Sequence, residues 1–75
     1  MNNVEQIEEN ILNLIYSFES ESLIKKAHLI VLDYDSYIVL RAKSFDLNNK
    51  LDIHKKTFMG IKYMVDIKEN EVKIR

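Results

Sequence analysis

Apolar residues recur along the first part of the chain at alternating steps of three and four: Val4, Ile7, Ile11, Leu14 and Phe18, with Ile15 alongside. That spacing puts one apolar stripe on an α-helix. Glu5, Glu8, Glu9, Asn10 and Asn13 fill the other faces and are expected to meet water. Asn2 or Asn3 is placed to cap the start, its side-chain oxygen accepting an orphaned backbone N–H. The early glutamates suit the positive end of the helix dipole. The predicted helix covers residues 4–18, about 22 Å in length. An extension toward Lys26 stays open, because Leu23 and Ile24 are apolar and Lys25 and Lys26 suit a last turn.

After Ala27 the period changes to two. His28–Tyr34 reads as a strand of large and β-branched residues, and Tyr37–Lys43 as a second, with Asp35-Ser36 as the hairpin turn between them. Apolar residues lie symmetrically about Asn48-Asn49-Lys50, which predicts a second hairpin. Leu51 to Val65 alternates as one long strand, with Gly60 marking a bulge or a close backbone approach. Lys68-Glu69-Asn70 turns the chain into a short last strand, Glu71–Arg75, with Val72 and Ile74 on one side. The expected fold is α+β: a single domain over 1–75, with one N-terminal helix packed on a three- to four-stranded antiparallel meander.

In such a meander both sides of the first hairpin are apolar, and one helix covers only one of them. The side left over carries Ile30, Leu32, Tyr34, Tyr37 and Val39, rimmed by His28, Arg41 and Lys43. An aromatic-rich apolar patch edged with Arg has the make-up of a partner surface. The candidate partner-binding residues are therefore Ile30, Leu32, Tyr34, Tyr37, Val39 and Arg41. Two competing readings are that residues 44–57 fold back over this face, or that a one-residue register shift exchanges the faces.

Composition narrows the chemistry. The chain has 75 residues, a net charge of −1 and no cysteine, which excludes disulfides, thiolate metal sites and a cysteine nucleophile. Asp52 and His54 share a strand face, but two ligands do not make a metal site, and His28 has no evident partner. No serine stands in a nucleophile-elbow pattern, and a single glycine cannot build a phosphate-cradling loop. The expectation is no enzyme, no metal and no cofactor. The chain shows no signal-peptide pattern and no membrane-length apolar run, which predicts a cytoplasmic protein with no membrane contact.

Charge is uneven. Residues 1–22 carry five acids and no base, whereas residues 23–75 carry eleven bases and seven acids. An acidic helix beside a basic sheet would favour oriented encounters or head-to-tail self-association, but charge runs usually mark solvated faces, and plain solubility is the preferred reading. Lys50, His54, Lys55, Lys56 and Lys62, interleaved with Phe58 and Tyr63, raise nucleic-acid binding as an alternative. Two arginines in the whole chain and Asp52 and Asp66 nearby argue against it.

Thr57-Phe58-Met59-Gly60-Ile61-Lys62-Tyr63-Met64-Val65-Asp66, followed by Asn70-Glu71-Val72-Lys73-Ile74, resembles the C-terminal strands of small phage and prophage accessory proteins. The resemblance implies a phage-borne accessory role in the bacterial host cytoplasm. With the patch, it leads to a non-catalytic protein-binding module that binds and inhibits or modulates a host protein, such as a defence factor. The alternatives are a self-assembling structural or virion component, in which the patch makes a homo-oligomer, and a small nucleic-acid binder.

Overall fold

Asn3 opens the first helix. In the computed structural model, which describes residues 3–21, 26–42 and 50–75, its side chain accepts the Gln6 N–H at 2.8 Å, and the Gln6 side chain accepts the Asn3 N–H in return. This capping box satisfies two backbone donors reciprocally. Helix α1 runs Val4–Ser20 and buries Ile7, Ile11 and Ile15, the centre of the predicted stripe. Val4 and Leu14 pack at its margin. Glu8 departs from the expected water-facing position. Its side chain is largely covered, with one carboxylate oxygen 3.8 Å from Lys50 Nζ and the other buried.

Strand β1, Leu29–Leu32, falls inside the predicted His28–Tyr34. The next segment overturns the hairpin. Tyr34–Ala42 is a helix, α2, in place of a turn and a second strand. Asp33 explains the start: its carboxylate accepts the Ser36 N–H at 3.1 Å, and its carbonyl accepts the Tyr37 N–H. An aspartate three residues before a free N–H is a helix N-cap. Asp35 in the first turn and Arg41 in the last suit the helix dipole. Burial of Leu40, with Tyr37 one turn earlier packed against the core, outweighs the strand preference of Ile38 and Val39.

The predicted long strand 51–65 is also divided. It becomes β2 (Leu51–Asp52), β3 (Thr57–Phe58) and β4 (Ile61–Val65). At the first break the Asp52 carboxylate accepts the Lys55 N–H at 3.0 Å, and Lys56 has a φ of 56°. At the second, Met59 (φ 52°) and Gly60 (φ 84°) join β3 to β4 by a two-residue hairpin, so Gly60 marks a turn and not a bulge. Positive φ at both central residues is the primed-turn geometry that asparagine followed by glycine favours. Gly60→Ala should therefore cost about 1 kcal/mol and Met59→Asn should gain up to about 1 kcal/mol, read from urea midpoints. No atom stands within 4 Å of a Cβ added at Gly60, so the loss is conformational and not steric.

The last strand, β5, spans Lys73–Ile74. The sheet is mixed and five-stranded, in the order β2-β3-β4-β1-β5. This replaces the expected antiparallel meander of three or four strands. β1 pairs parallel with β4, placing Ile30 beside Tyr63 and Leu32 beside Val65, and antiparallel with β5 on its other side. A parallel pair needs a crossover connection, and α2 lies in that connection. The fold remains α+β, with α1 and α2 in contact with each other. The core joins Ile7, Ile11 and Ile15 of α1, Ile30 and Leu32 of β1, and Leu40, Leu51, Phe58 and Val72. Alternation along β1 turns Val31 to the opposite side of the sheet, where it is buried between register partners Met64 and Lys73. The predicted hairpin about Asn48-Asn49-Lys50 falls mostly in residues 43–49, outside the described residues.

Candidate partner-binding surface

The six residues proposed from sequence do not share one face. Ile30 and Leu32 have 0% exposure and belong to the core, because β1 is a central strand beneath the helices. They are thus unable to touch a partner in this fold. Tyr37 turns inward and packs against Tyr63, with ring centroids 6.1 Å apart and planes tilted by 40°. Val39 is half-buried. Tyr34 and Arg41 are exposed.

Helix α2 makes a different surface. Tyr34, Ile38 and Ala42 recur at steps of four and all are exposed, so they form an outward ridge. Tyr34 is 51% and Ile38 41% exposed. On one side of the ridge an open depression of about 620 Å³ lies against the start of α1, lined by Val4, Glu5, Ile38, Val39 and Ala42 with Asn3. On the other side a depression of about 440 Å³ lies against the β2–β3 turn, lined by Ile38, Arg41, Ala42, Ile53 and His54. Past Tyr34, a third of about 380 Å³ leads to Ile67, which is 79% exposed, and carries Asp33, Asp35 and Glu69. The ridge therefore passes from an acidic end at Tyr34 to a basic flank at Arg41 and His54.

Sequence reasoning missed Ile38, Ala42, Val4 and Ile67. The four-residue steps of Tyr34, Ile38 and Ala42 were present, but the stronger period-two reading placed Ile38 on the opposite side of a hairpin. Ile67 continues the odd-position alternation of Ile61, Tyr63 and Val65, but β4 ends at Val65 and the turn in which the Asp66 carboxylate accepts the Lys68 N–H leaves it exposed.

Burial pushes the Tyr63 phenol above the ordinary tyrosine value of 10.0; Tyr37 and Asp52 add to the rise, and Arg41 opposes it. The fold thus prefers the neutral phenol. Its contribution to stability is complete below about pH 10 and falls as the pH rises through the raised value. Tyr63→Phe should flatten the alkaline loss of stability relative to the parent chain, measured as urea midpoints between neutral and strongly alkaline pH.

His28 and His54 are both exposed, and the Asp52 carboxylate already accepts the Lys55 N–H. Among the described residues, no group of three or more His, Cys, Asp and Glu is placed to hold a metal ion. No helix among them is long and apolar enough to cross a membrane. No protein-family model, no curated protein and no solved structure matches this chain.

Proposed function

We propose that this chain is a non-catalytic protein-binding module that engages its partner through the outer face of α2. The observation that carries the reading is the apolar ridge of Tyr34, Ile38 and Ala42, exposed between open depressions. Large side chains gain from burial against a partner, and tyrosine and arginine are among the residue types enriched at energetic anchors. Tyr34 and Arg41 supply one of each, toward opposite ends of the ridge. A bacterial host protein is the partner class implied by the phage-like pattern of Phe58-Met59-Gly60-Ile61 and the strand after it.

The test compares the parent chain with Ile38→Gln as baits in a bacterial lysate, with melts of both. Ile38 is exposed and glutamine is a good helix former, so the melt should hardly move. Capture should fall at least tenfold. Equal capture by both baits overturns the α2 surface. If sedimentation shows the parent chain self-associating and Ile38→Gln monomeric, the ridge serves self-assembly instead.

A further inference from the structure

Among the described residues, the depression between α2 and the β2–β3 turn carries charge of a single sign. Ile38, Ala42 and Ile53 give it aliphatic walls, and the charged and ionisable residues lining it are Arg41 and His54. Lys55 and Lys56 continue the same turn, both exposed, and Lys56 sits at a φ of 56°. Among the described residues, no acid lines the depression. Asp52, the nearest in sequence, has one carboxylate oxygen on the Lys55 N–H. The neighbouring depression, across Ile38 and Ala42, has Glu5 at its rim instead.

We infer that this depression receives an acidic protein segment carrying an apolar side chain, an inference that rests on the reading of α2 as the binding face. The apolar side chain packs on Ile38, Ala42 and Ile53. A carboxylate pairs with the Arg41 guanidinium, whose planar fork matches two carboxylate oxygens, and Lys55 and Lys56 attract further acids. Charge complementarity across the contact sets partner choice and encounter rate. A single-stranded nucleic acid would bring the same negative charge but takes much of its grip from exposed aromatic faces on which bases stack. The nearby aromatics among the described residues, Tyr37 and Tyr63, are half-buried and packed on each other, so those residues offer aliphatic walls and no stacking platform.

The experiment titrates the full ¹⁵N-labelled chain with short peptides that share one Leu-Trp-Leu centre and differ in flanks: glutamate, glutamine or lysine. Oligothymidylate is the fourth probe. The Glu-flanked peptide alone should shift the amides of Ile38, Arg41, Ile53 and His54. Its affinity should fall roughly tenfold from low to high salt, as screening demands. Arg41→Gln should weaken it about tenfold with an unchanged melt. Equal binding of the Gln- or Lys-flanked peptide at these amides overturns the acidic class and leaves the α2 face standing. Shifts from oligothymidylate at Arg41 and His54 assign the depression to nucleic acid and overturn the inference. Absence of shifts there with every peptide also overturns it, and the lysate comparison with Ile38→Gln decides the α2 reading independently.

Discussion

Phe58→Ala should remove a large share of this chain's folding stability. Phe58 is the largest fully buried side chain among the described residues and has 0% exposure. It sits in β3, a strand of two residues, paired with Leu51 of β2 and Ile61 of β4. Such short strands have few hydrogen bonds of their own, so the ring, with the buried Leu51 beside it, anchors this edge of the sheet to the core. Truncating a buried Phe costs about 3–5 kcal/mol, from lost transfer free energy plus the cavity left behind. A chain of this length has roughly 4–11 kcal/mol of stability in total. Circular dichroism melts should show a midpoint lowered by tens of degrees or no cooperative transition at all. A melt like that of the parent chain would mean that the ring is not in the core.

Leu32→Ala and Tyr34→Ala, two positions apart, should behave as opposites. Leu32 is fully buried on the helix side of the central strand, beside Val65. Its truncation should cost about 2–5 kcal/mol. Tyr34 lies in the first turn of α2 with its side chain exposed, and alanine is a better helix former, so its loss should move stability by no more than about 0.5 kcal/mol. Any loss of partner binding by Leu32→Ala should track unfolding, whereas a loss by Tyr34→Ala should occur in a folded chain. Urea midpoints on both variants decide this. Equal destabilisation by both would place Tyr34 in the core and remove it from the surface.

That contrast also marks where the sequence could be read. Helix α1 was legible because its information is local: the three-four spacing and Asn3 lie within the element itself. β1 was legible as a strand, but its neighbours were not. Leu29-Ile30-Val31-Leu32 has no polar alternation, and a run apolar on both faces is the mark of a strand covered on both faces. Taken as half of an antiparallel hairpin, the same run leaves a surplus apolar face, and that surplus became the expected interface of Ile30 and Leu32. Helix α2 was misread because Ile38 and Val39 favour strands, while the signal that decides, the Asp33 cap, is a single side chain. Parallel pairing with β4 depends on α2 being a helix, so one local misreading altered the sheet order as well. Of the predicted surface, Tyr34 and Arg41 remain exposed because they sit on the outside of α2 and not on a leftover sheet face.

The central position of β1 has a kinetic side. Its two ladder partners, β4 and β5, lie at 61–65 and 73–74, so neither edge of β1 is satisfied by its neighbours in sequence. Closing so long a loop costs entropy before any contact rewards it, and rates fall as the sequence separation of contacts grows. Until the chain through β4 is available, Leu29-Ile30-Val31-Leu32 is an apolar segment with two open edges, the profile of an aggregation-prone strand. The vulnerable period of this protein is therefore before folding, when its most apolar strand has nothing yet to pair with.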